Sequence, residues 1–291
     1  MESAVIESVR SEPDPVLYRL VHSYHGFRIP RVPERSRLEI PSGAVTLLLG
    51  FGEPVKISPL ENTASAASAA SAAGSLERTS FLTAGRSAAS VGRHRGGVHG
   101  LEVTLCHTGA YQIFGMPMIH LAAGFPSVSE LWGREGELLV EELEGLPTWE
   151  QRFARIDARL RRRAADSPVL PAWQVTRALR LVGAGWSLRD VQREVGWSAR
   201  HLRARFLEQV GMSPKAVARV LRLQAALRAR LAGRGWAQAA ALARFHDQAH
   251  LSHEVKAMTG LTPGRLAELR RGAGPGSALD RLPGRVTSVL L

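Results

Sequence analysis

The spacing of apolar positions changes character about halfway along the chain. Over the first 125 residues it is short. Segments 38–40 (L-E-I), 44–50 (A-V-T-L-L-L-G), 55–57 (V-K-I) and 100–106 (G-L-E-V-T-L-C) alternate or run apolar, separated by Pro41-Ser42-Gly43, Gly52, Pro54 and Gly96-Gly97. Such runs, punctuated by turn formers, predict the strands of a small barrel or sandwich. Within them, 63–75 (T-A-S-A-A-S-A-A-S-A-A-G-S) offers no apolar face and reads as a mobile surface loop.

From Val128 the spacing becomes helical. Residues 129–132 and 137–143 read as short helices. A longer one covers 148–163, with Thr148 as its cap, Glu150 in its first turn and the arginines of 159–163 at its carbonyl end. The run 165–168 (A-D-S-P) breaks it, and 171–271 reads as helical. The expected fold class is α+β: an N-terminal strand-rich, barrel- or sandwich-like domain followed by an all-α domain. The expected parts are a sensing or dimerising domain over 1–145, a helical linker over 146–170, a helical domain over 171–271 and a flexible tail over 272–291.

The helical domain contains a repeat with an offset of 49. R-H-L-R-A-R-F-L-E-Q-V-G-M-S-P ends at Pro214 and A-H-L-S-H-E-V-K-A-M-T-G-L-T-P ends at Pro263. His201 is thereby matched with His250, Leu202 with Leu251, Phe206 with Val255 and Gly211 with Gly260. A short helix behind a tight turn, present twice, is the layout of two helix-turn-helix units that enter successive major grooves of DNA.

In the first unit Ser187 caps a helix over 188–195, with Asp190 completing an S-x-x-D box, and Leu188, Val191 and Val195 form its inward stripe. Gly196 supplies the turn. Ser198 caps the second helix, whose Leu202 and Phe206 point inward, and Gly211 and Ser213-Pro214 end it and start the next. Ala199, Arg200, Arg203 and Ala204 are left facing outward near the amino end, where arginine can hydrogen-bond guanine. Arg205 is angled toward phosphate. A merely solvated basic face is the competing reading. Helix 214–232 follows, with Val217, Val220, Leu221, Gln224, Leu227 and Leu231 near one face; at 1.5 Å per residue it is a rod of roughly 28 Å, suited to holding two readers about one DNA turn apart.

The second unit is degenerate. Its first helix, 237–243, has only small side chains besides Leu242, Arg244 stands where a turn glycine is expected, and Val255 replaces a phenylalanine. This predicts a looser core. Asp247 caps the next helix, whose outward residues are Gln248, Ala249, Ser252 and His253. Gln248 suits adenine; Ser252 and His253 suit phosphate.

Charge sharpens the picture. Residues 1–150 carry 12 Lys/Arg against 17 Asp/Glu, a net of −5, whereas residues 151–291 carry 26 against 9, a net of +17. The positive field lies with the repeat, as phosphate neutralisation requires. The first ten residues lack a basic region followed by an apolar one, and no apolar run approaches the roughly 18 residues of a membrane span. The expectation is a cytoplasmic protein without membrane contact.

Other candidate chemistry is weak. Lone Cys106 excludes an internal disulfide and reads as a small core residue on a strand. His94, His99, His107 and His120 show no compact ligand spacing, so no metal is expected. Residues 92–100 lack the G-K-[ST] of a phosphate loop and read as a hairpin connection. With neither a nucleophile-base order nor a carboxylate pair, no enzyme and no cofactor are expected.

The doubled unit resembles the AraC-type family of bacterial transcription regulators. The resemblance is carried by S-L-R-D-V-Q-R-E-V-G-W-S-A-R-H-L-R-A-R-F-L-E-Q-V-G-M-S-P with R-L-Q-A-A at 222–226, and by F-H-D-Q-A-H-L at 245–251 with T-G-L-T-P; it covers about 173–270. It implies a seven-helix domain that binds promoter DNA, with Arg200 and Arg203 at base-facing places of the first reader, and Gln248, Ala249, Ser252 and His253 at those of the second. It also implies an N-terminal domain that senses or dimerises, with room for a small-molecule effector and a homodimer. Segments 41–49 and 109–117 are similar to a front domain of some actinobacterial members. The function expected is a sequence-specific regulator reading adjacent major grooves. A non-specific architectural DNA binder is the alternative, and an enzyme with a DNA-targeting tail is a more distant one.

Overall fold

Two five-stranded antiparallel sheets face one another across a cavity, and helices cover their outer faces. In this computed structural model the residues described are 6–31, 33–60, 75–122, 124–272 and 285–291. The loop expected over 63–75 lies outside them except for Ser75. The strands are β1 (Glu7–Ser11), β2 (Val21–Ile29), β3 (Arg35–Glu39), β4 (Val45–Gly50), β5 (Val55–Pro59), β6 (Leu76–Arg78), β7 (Phe81–Thr83), β8 (Ser90–His94), β9 (Val98–Leu105) and β10 (Ser288–Leu290). One sheet has the order β1-β2-β9-β4-β7 and the other β10-β3-β8-β5-β6.

Two-residue periodicity sorts the side chains. In β4, Val45, Leu47 and Leu49 are fully buried and lie opposite Leu105, Val103 and Leu101 of β9. That face packs under the helices α1 (His107–Phe114), α2 (Met118–Ala122), α3 (Val128–Trp132), α4 (Arg134–Gly145) and α5 (Trp149–Ala165). The alternate residues Thr46, Leu48 and Glu102 turn to the cavity. In the second sheet Leu38 and Val91 point outward, while Arg37, Glu39 and Gly92 line the cavity. The expected hairpin at 92–100 is instead a crossing, since β8 and β9 belong to different sheets, and Gly96 and Gly97 take positive φ to turn it.

Helix α5, within the span expected to be a linker, packs against the first sheet. Trp149, Phe153, Ile156 and Leu160 are buried in the first core. Gly26 on β2 makes room for the Trp149 ring, whose Nε1 donates to Glu7 at 2.7 Å. Tyr24 stacks on Phe153 and donates to Asp157 at 2.6 Å. Burial, and then that carboxylate, push the Tyr24 phenol far above its usual range. Arg152 closes the α4–α5 hairpin by donating from Nε to the carbonyl of Leu143 at 2.8 Å. The first unit of structure therefore runs through residue 165, because the amphipathic face of α5 has an apolar sheet to cover.

Cys106 is half-buried rather than a core residue. Its sulfur accepts from Gly109 at 3.2 Å and so caps α1. The expected tail also ends in order: Ser288, Val289 and Leu290 pair antiparallel with Glu39, Leu38 and Arg37. Val286 and Val289 are buried because they fill the seam between that sheet and the helical domain.

Candidate nucleic-acid interface

The helical domain is built from α6 (Trp173–Gly183), α7 (Leu188–Val195), α8 (Ala199–Val210), α9 (Pro214–Leu231), α10 (Trp236–Leu242), α11 (Gln248–Thr259) and α12 (Pro263–Gly272). Local sequence fixes both recognition helices, α8 and α11, at each end. The Ser198 hydroxyl accepts from the amide of His201 at 3.2 Å, and the Asp247 carboxylate accepts from that of His250 at 2.7 Å. Gly211 and Gly260 end the two helices at φ of 78° and 72°. The bond from His250, followed by His246, holds the Asp247 carboxyl below its usual range. In both units the histidine one turn into the helix packs edge-on against an aromatic residue of the turn, Trp197 with His201 and Phe245 with His250. The sequence reading missed these pairs; the aromatic four or five residues ahead of each repeated histidine was the available signal.

The inward residues are as expected in the first unit. Val191, Val195, Leu202 and Phe206 are buried in one core, with Leu188 packed at its margin. On the outer face Ala199, Arg200, Arg203 and Ala204 are exposed. Arg205 lies apart from them, half-buried and donating to Glu208 at 2.6 Å; Glu208 also accepts from Tyr111 of α1 at 3.0 Å.

The second unit departs from expectation. Leu242 is 65% exposed, and the helix instead buries Ala239 and Ala240. Small side chains allow close approach to α9 rather than leaving a void. Phe245, Leu251, Val255, Met258 and Leu266 join Leu38, Ile40, Val91, Val286 and Val289 in one core, so the N-terminal sheet supplies the bulk that α10 lacks. Gln248, Ala249 and His253 are exposed; Ser252 is half-buried, its hydroxyl donating to the Gln248 carbonyl at 2.8 Å.

Helix α9 runs between the two units. At 18 residues it is about 27 Å long. Leu231 of the expected stripe is exposed, whereas Leu223 is fully buried, because α9 is covered on more than one side. Gln224 is buried with its amide fully engaged. Its Nε2 donates to the carbonyls of Pro41 and Val286 at 2.7 and 2.8 Å, and its Oε1 accepts from the Val286 amide at 3.0 Å. Arg219 reaches Glu254 on α11 in a two-pronged ion pair at 2.8 and 3.2 Å. Burial pulls the Glu254 carboxyl upward, but the guanidinium outweighs it and holds the group below the carboxylate range.

Both recognition helices are therefore held at their carboxyl ends by the N-terminal domain. Gly211 lies close against Met118 and Ala122, the Met258 carbonyl accepts from Ala89 at 2.8 Å, and Leu60 packs on Gly260. Their amino ends stay open to solvent. Elsewhere His94, His99, His107 and His120 are dispersed. Among the described residues no group of three His, Cys, Asp or Glu is placed to hold a metal, and no helix is long and apolar enough to cross a membrane.

Residues 191–268 match the family model of a helix-turn-helix domain. No curated protein matches the chain. Among solved structures, ToxT from Vibrio cholerae O395 is 12% identical, with 92% of this chain and 98% of that one covered and a TM-score of 0.42. The unsaturated fatty acid-bound wild-type ToxT from Vibrio cholerae strain SCE256 is 10% identical, with 90% and 94% covered and a TM-score of 0.39. The matched span contains both α8 and α11.

Proposed function

We propose that the protein is a sequence-specific transcription regulator that reads two adjacent major grooves of promoter DNA. What carries this reading is the pair of capped helices whose amino ends are exposed while their opposite faces are locked in core. Arg200 and Arg203 on α8 are the base-reading residues, flanked by Ala199 and Ala204, whose small side chains let the helix approach the base edges. Gln248, Ala249, Ser252 and His253 serve the second helix. Arg205, tied to Glu208, is left to orient α8.

Selection of bound fragments from a random DNA pool tests the reading. An enriched motif with two half-sites supports it, and a palindromic arrangement of such motifs reports a homodimer. Uniform recovery, with strong salt dependence, favours the architectural alternative. On the selected DNA, Arg203→Ala is expected to cost about 1–3 kcal/mol and relax one base pair, and His253→Ala to cost less. Equal losses contradict a dominant first reader.

An effector reading is supported by the cavity between the sheets, about 220 Å³ in volume and lined by Phe27, Leu48, Ile57 and Phe125 with Arg37 and Glu102 among its polar groups. Its mixture of apolar wall and few polar side chains suits a small organic molecule.

A further inference from the structure

Arg244 is the only non-glycine residue with positive φ among the described residues, at 59°. It occupies the turn between α10 and α11, where the first unit has Gly196 at 70°. A side chain in this left-handed region is strained, and glycine would avoid the strain. The arginine supplies what glycine lacks. Its Nη1 donates to the carbonyl of Gly185, in the turn between α6 and α7 of the other unit. Gly185 itself has φ of 82°, and a Cβ there would run into the Arg244 guanidinium. The guanidinium thus lies on a stretch of backbone bare of side chain.

The two units have separate apolar cores. Helix α9 gives Val217 to the first and Val220, Leu223, Ala226 and Leu227 to the second. Their mutual orientation therefore rests on one shared helix, on polar contacts between them, and on the N-terminal domain that holds the carboxyl end of each recognition helix. The Arg219–Glu254 pair fastens α11 to α9, and the Arg244–Gly185 bond joins the turn of the second unit directly to the first.

We propose that Arg244 is a positioning residue: it fixes the separation and angle of the two recognition helices, so that the protein accepts one spacing of its two half-sites. The proposal rests on the DNA-reading function, and its test has an arm free of DNA. In the full chain, Arg244→Gly removes the guanidinium and relieves the backbone strain together, so the fold is retained, as a thermal melt checks. On DNA selected by the parent protein, the variant is expected to bind the first half-site alone within twofold of the parent. It is expected to bind the composite site five- to tenfold more weakly, and to show a smaller penalty for inserting or deleting one base pair between half-sites. The second arm places spin labels at Arg189→Cys and Ala241→Cys in a Cys106→Ser background, where the inter-label distance distribution is expected to broaden on Arg244→Gly. An unchanged spacing penalty, an equal loss on the single half-site, or an unchanged distance distribution overturns the proposal. Failure of the parent protein to select any sequence overturns the regulator reading instead, while the label distances still decide the role of Arg244.

Discussion

Replacing Gln224 by leucine isolates the joint between the helical domain and the sheets. The side chain makes three buried hydrogen bonds, two as donor and one as acceptor. At roughly 1 kcal/mol net for each bond the loss is about 3 kcal/mol. The stranded Pro41 and Val286 groups raise that figure, while the apolar leucine side chain lowers it. Two of the three bonds go to Val286, so a chain ending at residue 284 keeps only the bond to Pro41. In that background the same substitution should cost about 1 kcal/mol. Urea unfolding of parent, Gln224→Leu, the shortened chain and the double variant closes the cycle, and a coupling of about 2 kcal/mol is expected. Strict additivity would show that Gln224 does not bind the returning strand, and the joint described here would be wrong.

Two further outcomes follow from other parts of the molecule. Burial, with Arg285 and His22 nearby, pushes the His107 imidazole down to about 4 from 6.5. The unfolded chain binds that proton first, so stability is full above pH 6.5 and falls as pH drops toward 4, by about 2 kcal/mol at pH 5. Burial also lowers His22 and His94, which adds in the same sense. Urea midpoints from pH 7 to 4.5 read the effect, and a His107→Asn variant should flatten the slope; an equally steep profile in the variant counts against this origin. At Gly26, a methyl group would overlap the Trp149 ring, so Gly26→Ala should destabilise by about 1–3 kcal/mol and displace α5, visible as a shift in tryptophan fluorescence. An unperturbed spectrum would mean that α5 does not dock as described.

Both helix-turn-helix units were legible because their signals are local. Ser198, Asp247, Gly211 and Gly260 act within a few residues of themselves, and the inward stripe of α7 repeats at helical spacing. The exposed faces at Arg200, Arg203 and Gln248 followed from the same periodicity. What escaped was set by distant partners. Leu242 reads as the anchor of an alanine-rich helix, yet the bulk comes from Leu38, Val91 and Val289, far away in the chain. Gln224 lies on the expected inner face, but its partners are 183 and 62 residues distant. Arg205 is oriented by Glu208 and a tyrosine 97 residues before that glutamate. Strand order had the same origin: alternation identifies a strand but does not say which sheet receives it, so the crossing between β8 and β9 read as a hairpin.

Strand β10 has a consequence for how the molecule is made. It is the edge of the second sheet, and Leu290 forms part of the cavity wall, yet it leaves the ribosome after both helix-turn-helix units. Until then β3 has an unpaired edge, with Leu38 and Ile40 lacking their cover of Val286 and Val289. The N-terminal domain cannot finish folding vectorially; its last strand follows both helix-turn-helix units in the chain. A bulky fusion placed close behind Leu290 would burden that closure, whereas one ahead of β1 would spare it.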